Sequence, residues 1–218
     1  MASVPEHLSP NLHAYLVAHS TAPDPLLSRL ITETAERFPD WVNLQIGPEQ
    51  GVFMTMLAQL MSASQAIEVG TFTGYSSICL ARGLSAGDKL ICCDISEEWT
   101  SVARAYWQEA GLADRIELRL AHALDTLQSL ASSPSFDLAF IDADKAGYVA
   151  YWEELVPRIR RGGIVLVDNT FSHGRIFQAH PDPDAQAIKD FNGHVLADER
   201  VDLVMLPVGD GLTMARKK

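Results

Sequence analysis

Residues 67–76 read I-E-V-G-T-F-T-G-Y-S, and this stretch sets the architecture. An apolar strand carries an acid near its end, a glycine turn follows, and the chain then enters a helix start. That is the opening βα unit of an α/β fold. The glycine turn lets backbone come close to a nucleotide-like ligand, and the open N–H groups at the helix start can hold a carboxylate. Glu68, just before the turn, offers a counter-charge to a cationic ligand and would repel a pyrophosphate.

From residue 65 onward, strand and helix signals alternate. Strands are expected at 66–69, 89–94, 116–120, 136–141 and 164–167, mostly short apolar runs suited to parallel strands buried on both faces. Helices are expected between them at 75–82, 97–110, 123–131 and 148–160, with Gly111 and the pair Gly162 and Gly163 read as helix exits. The tail breaks this rhythm. A helix at 184–197 leads to a strand at 201–207, a tight G-D-G turn at 209–211 and a strand at 212–215. Such a hairpin makes the last strand antiparallel. The chain therefore predicts a doubly wound, mostly parallel seven-stranded sheet with an antiparallel last strand, the Rossmann-like class I methyltransferase pattern. An ordinary dinucleotide fold would end in a sixth parallel strand.

Residues 1–64 carry no strand signal. Helices are expected at 26–37 and 51–61, with Pro39 and Pro48 as breakers. They read as accessory helices on a single domain spanning 1–218, whose catalytic sheet occupies 65–218.

The formal net charge of −11 argues against non-specific binding to nucleic acid or an anionic membrane surface. No apolar run reaches the roughly 20 residues of a membrane-spanning helix. The first ten residues show no secretory signal. Cys79, Cys92 and Cys93 fit neither a disulfide framework nor a zinc knuckle and read as buried free thiols in a cytoplasmic protein. His7, His13, His19, His180 and His194 show no ligand spacing and read as surface or N-terminal residues.

Asp94 ends the second strand, one βα unit after the glycine turn, placed to accept hydrogen bonds from ribose hydroxyls. The alternative is a helix cap. With Glu68 beside the turn, the ligand that fits is S-adenosyl-L-methionine, whose sulfonium and ammonium groups are positive. A nicotinamide-dependent oxidoreductase is disfavoured, because Gly70 and Gly74 are spaced GxxxG and not GxGxxG. A non-catalytic adenosine-binding protein of the same fold is the other alternative. The fourth strand runs into F-I-D-A-D-K (140–145) and the fifth into V-L-V-D-N-T (165–170). Both carboxyl ends lie on one sheet edge, so Asp142, Asp168 and Asn169 converge as hard oxygen ligands suited to Mg²⁺. Separate helix capping by each acid is the bland alternative.

Five segments occur in order: Q-I-G-P-E-Q-G (45–51), E-V-G-T-F-T-G-Y-S (68–76), I-D-A-D-K (141–145), V-D-N-T (167–170) and L-P-V-G-D-G-L-T (206–213). Over about residues 25–216 the chain resembles the cation-dependent O-methyltransferases of the caffeoyl-CoA O-methyltransferase family, with its smaller bacterial catechol-methylating members. The resemblance implies metal ligands at Asp142, Asp168 and Asn169. It implies cofactor contacts at Ile46, Glu68, Gly70, Thr71, Ser76, Asp94, Ala123, Asp142 and Asp144. Asp142 is expected to touch both metal and substrate, and homodimers are common in the family. Lys145 is the expected base for a phenolic substrate, or else a surface lysine paired with Asp144 or Asp142.

The segment T-F-S-H (170–173) lacks the Leu-Trp of the plant enzymes after Asp-Asn, which favours a small catechol-type phenol over a CoA ester. His173 is a candidate substrate contact, or else a solvent residue. His122 either meets the adenine or is a satisfied loop histidine, and Leu44 stands in a cofactor wall. Tyr75 lies near the cofactor. Trp99, Tyr106, Trp107, Tyr148, Tyr151 and Trp152 are expected mostly in the core or a dimer interface.

Overall fold

A computed structural model of the chain describes residues 9–218, so the expectations for His7 and the start of the chain fall outside it. The strands are β1 (Gln65–Val69), β2 (Lys89–Asp94), β3 (Ile116–Leu120), β4 (Phe136–Ile141), β5 (Ile159–Val167), β6 (Val201–Leu206) and β7 (Leu212–Lys217). They form one sheet in the order β3-β2-β1-β4-β5-β7-β6. The pairings from β3 across to β5 are parallel, and β7 runs antiparallel to both β5 and β6, as the G-D-G hairpin requires.

Eight α-helices accompany the sheet among the described residues: α1 (Pro10–Ala18), α2 (Pro25–Arg37), α3 (Pro48–Leu60), α4 (Tyr75–Gly83), α5 (Glu97–Glu109), α6 (Ala123–Ser129), α7 (Tyr148–Arg158) and α8 (Pro183–Leu196). None is long and apolar enough to cross a membrane. Strand side chains alternate between two core layers. Leu138 and Phe140 of β4 join Leu30, Met54 and Ile78 under α2, α3, α4 and α5. Ala139 and Ile141 join Trp152 and Phe191 under α6, α7 and α8. Each fully buried Leu, Ile or Phe here contributes about 1.5–3 kcal/mol. The strand order reverses between β1 and β4, where the chain sends one crossover to each face. That switch point opens a crevice at the carboxyl ends of the strands.

Three local expectations need correction. The strand expected at 164–167 starts at Ile159, and Gly162 and Gly163 lie inside it instead of ending a helix. Pro157 closes α7 early, and Ile159 then pairs with Phe136. The register shifts before Ile164 pairs with Leu138, so the glycines occupy a bulge. Pro39 follows the end of α2 as expected and also opens a short helical turn, whereas Pro48 stands inside the start of α3, which begins three residues earlier than expected because the missing N–H costs no bond there. Helix α1, opened by Ser9 Oγ accepting from Leu12 N, has no counterpart in the sequence reading.

Candidate active site

A cavity of about 460 Å³ lies at the switch point. That is within the usual range of small-molecule sites. Its wall includes Gly70, Thr71 and Ser76 from the first turn and α4, Asp94 from β2, and Ala123 from α6. Ile46, Asp142, Asp144 and Lys145 line it too, while Glu68, Asp168, Asn169 and His173 of the expected set do not. Leu44, Tyr75 and His122 line it as well.

The first turn is shaped by what it must avoid. Gly70 has φ +91, and a Cβ there would collide with the backbone carbonyl of Asp142, so β1 and β4 approach closely only with glycine. Asp94 Oδ2 accepts from the N–H groups of Thr71 and Phe72, both at 2.9 Å, and Oδ1 accepts from Ser96 N at 2.8 Å. The acid therefore pins the glycine turn while keeping carboxylate lone pairs for a ligand. It is not the cap of α5; Ser96 is.

Glu68 stands behind the cavity wall and is fully buried. Burial pushes its carboxyl up to about 8, against weaker lowering by the polar groups of Ser76, Cys92 and Thr71 around it. Its Oε2 accepts from Cys92 Sγ at 3.3 Å, while Oε1 is a buried acceptor without a partner in the protein's own fold. An orphaned acceptor beside Thr71 and Ser76 suits a bound ammonium group. All three cysteines are buried free thiols.

On the β4–β5 side, three groups from separate motifs meet at one nitrogen. Lys145 Nζ donates to Asp142 Oδ1 at 3.1 Å, Asn169 Oδ1 at 2.6 Å and the Tyr148 hydroxyl at 2.7 Å. Tyr148 in turn donates to the Asp168 carbonyl at 3.2 Å. Asn169 holds a left-handed backbone, φ 58, which turns its amide toward this point. Asp168 is buried, and burial together with Asp142 pushes its carboxyl up to about 7. Among the described residues no group of three His, Cys, Asp or Glu side chains gathers to hold a metal ion. The candidate set has two carboxylates and depends on the Asn169 amide as third ligand. Its donor chemistry fits a hard cation, since Asp142 and Asn169 already share one in the Lys145 ammonium.

Asp168 and Asn169 sit beside the cavity and not in its wall. His173 is not brought to the site. It is 69% exposed in a kinked turn, with Nδ1 3.4 Å from Asp210 Oδ1. Two tyrosines expected mainly in core or interface are buried in the core and also reach this site through their hydroxyls. Tyr148 touches Lys145, and Tyr151 lines the cavity and donates to Asp144 Oδ1 at 2.5 Å. Their spacing from Lys145, three and six residues on, was the available signal. Trp99 and Trp41 also line the cavity, with ring centroids 5.8 Å apart.

Six parallel strands closed by one reversed strand, with a nucleoside-sized cavity at the switch point, define a class I methyltransferase. The sequence model of the O-methyltransferase family matches residues 17–218, and the chain belongs to that family as an S-adenosylmethionine-dependent enzyme of the caffeoyl-CoA O-methyltransferase type. It is 36% identical over 208 residues to probable caffeoyl-CoA O-methyltransferase 1 of Dictyostelium discoideum, covering 93% of this chain and 90% of that protein. An O-methyltransferase from Bacillus cereus, solved in complex with SAH, superposes with a TM-score of 0.85 at 33% identity, covering 95% of this chain and 97% of that one. The SAH-bound methyltransferase of Podospora anserina reaches 0.89 at 26% identity over the whole of both chains.

Proposed function

We propose that the protein methylates one hydroxyl of a small catechol-type phenol, with a divalent cation, Mg²⁺ first, held by Asp142, Asp168 and Asn169. The observation that carries this reading is the convergence of Asp142 Oδ1 and Asn169 Oδ1 on a single positive group at the cavity's edge. When bound, S-adenosylmethionine supplies an electrophilic methyl group, and the cation supplies a template that lowers the pKa of two vicinal oxygens.

The chain's own groups do the rest. Glu68, Gly70, Thr71, Ser76, Ile46, Ala123 and Asp144 hold the donor, and Asp94 takes the ribose hydroxyls. The turn fixed by Asp94 and the cavity walls hold donor and acceptor in line, which supplies much of the acceleration. All three N–H bonds of the Lys145 ammonium are used, on Asp142, Asn169 and Tyr148. With a cation held on Asp142 and Asn169, Nζ would keep Tyr148 as its anchor, lose one proton to solvent beside that positive charge and, as the neutral amine, take the proton of the hydroxyl being methylated. His173, outside the cavity, takes no part in that step.

The single-domain reading is supported by the accessory helices, whose Leu30 and Met54 share a core layer with the sheet. The homodimer and the cytoplasmic setting belong to the same proposal. Exposed Leu12 and Tyr15 on α1, with Met56 and Leu60 on the adjoining α3, support the first. Three buried free thiols support the second. Titrating metal-stripped protein with Mg²⁺ in the presence of catechol, and following S-adenosylhomocysteine release, tests the proposal. Release that rises from background with Mg²⁺ supports it; release independent of Mg²⁺ contradicts the cation's part.

A further inference from the structure

Two of the five ordered motifs carry residues with no role in the chemistry above: Gln50 in Q-I-G-P-E-Q-G at 45–51, beyond the cavity-lining Ile46, and the turn in L-P-V-G-D-G at 206–211. They meet at Asp168. Gln50, on the first turn of α3 and only 1% exposed, donates from Nε2 to Asp168 Oδ2 at 2.9 Å. With Nε2 turned to that oxygen, Oε1 faces the other way. It faces Gly209, in the β6–β7 turn. A Cβ on Gly209 would stand 2.5 Å from Gln50 Oε1 and 3.9 Å from Asp168 Oδ1. The other Asp168 oxygen, Oδ1, accepts from Asn169 N at 2.7 Å. The turn also grips the loop after Asn169: Thr170 N donates to Gly211 O at 3.0 Å and Phe171 N to Asp210 O at 2.9 Å.

From this convergence we infer that Gln50 is a positioning residue for Asp168, and that Gly209, whose φ of +53 already favours glycine, also leaves room for the Gln50 amide. The inference rests on the proposed cation site. Asp168 and Asn169 come from a strand end that could turn in several ways. Gln50 holds one carboxylate oxygen from α3, the Asn169 backbone N–H holds the other, and the hairpin turn closes behind both. Groups that orient a metal-binding side chain in this way change metal affinity with little effect on a separately held ligand. The accessory region thus reaches the reaction centre through one hydrogen bond, separate from its place in the cavity wall.

The test is calorimetric titration of metal-stripped protein with Mg²⁺ in the presence of S-adenosylhomocysteine, with a separate titration of that product. Gln50→Met keeps the volume and removes the amide. It should weaken Mg²⁺ about tenfold and leave S-adenosylhomocysteine within about twofold. Gly209→Ala, in an exposed turn and leaving the buried amide in place, should weaken Mg²⁺ in the same direction. In a Gln50→Ala background the Gly209→Ala change should cost less Mg²⁺ affinity than in wild type, leaving only the strain of alanine at φ +53. Unchanged Mg²⁺ affinity in Gln50→Met and Gly209→Ala overturns the inference, as does equal loss of Mg²⁺ and S-adenosylhomocysteine, which marks a merely structural role. Wild-type protein that takes up no Mg²⁺, while Asp168→Ala behaves identically, overturns the cation site itself and the inference with it.

Discussion

Lys145 Nζ lies 2.6 Å from Asn169 Oδ1 although 24 residues separate them in the chain. The contact exists because β4 and β5 are parallel neighbours whose carboxyl ends reach the same edge. It joins the expected base to an expected metal ligand, and Tyr148 fixes its third corner. Removing the amine should therefore cost catalysis and spare donor binding. Lys145→Met is expected to lower the transfer rate by about 10²–10⁴, with S-adenosylhomocysteine affinity unchanged in calorimetry. A mutant with near-normal turnover returns Lys145 to a structural pairing with Asp142.

Asp168→Ala combined with Asn169→Ala should abolish turnover. Both residues lie beside the cavity and outside its wall, so S-adenosylhomocysteine should still bind. Comparable loss of both would show that the two ends of the site are not separable.

Glu68 gives the apo protein a pH signature. Its carboxyl rises from an ordinary 4.5 to about 8 on burial. Between those values the folded protein holds a proton that the unfolded chain has released, so stability falls as pH rises through the window. Asp168, raised from 3.8 to about 7, acts with the same sign. Urea melts of wild type at pH 5, 6.5 and 8 should show declining stability, and Glu68→Gln should decline less. Parallel slopes for the two proteins would remove Glu68 from the account.

Tyr151 donates a hydrogen bond to Asp144 at the cavity wall. A hydrogen bond to a charged group is worth about 1.5–3 kcal/mol. Tyr151→Phe should accordingly weaken S-adenosylhomocysteine at least several-fold if Asp144 holds the donor. Unaltered affinity would take Asp144 out of the cofactor site.

The sheet was legible because its strands are apolar runs whose period leaves little choice, and because the G-D-G turn forces the last strand back. Asp94, Asp142 and Asp168 were legible as acids at strand ends, where side chains meet ligands by topology alone. What the sequence hid depends on packing. Nothing local distinguishes Gly162 and Gly163 as a bulge rather than a helix exit; pairing of Ile159 with Phe136 decides it. Tyr148 and Tyr151 are core as expected, but their hydroxyls also serve the site, and a hydroxyl's partner is invisible in one dimension. Gln50 and Asp168, 118 residues apart, are joined only in the fold. His173 went the other way: close to Asn169 in sequence, it is carried outward by the positive-φ backbone at Ser172 and His173.

In the proposed function, a cation held by Asp142, Asp168 and Asn169 presents a vicinal diol to the donated methyl group. The most direct measurement is transfer of a radiolabelled methyl group from S-adenosylmethionine to a panel of catechols and single phenols, with Mg²⁺ and with EDTA. The expected result is transfer to vicinal diols alone, lost in EDTA and restored by Mg²⁺. Transfer that persists in EDTA, or that reaches single phenols equally well, would contradict it and leave Asp142, Asp168 and Asn169 as scaffolding.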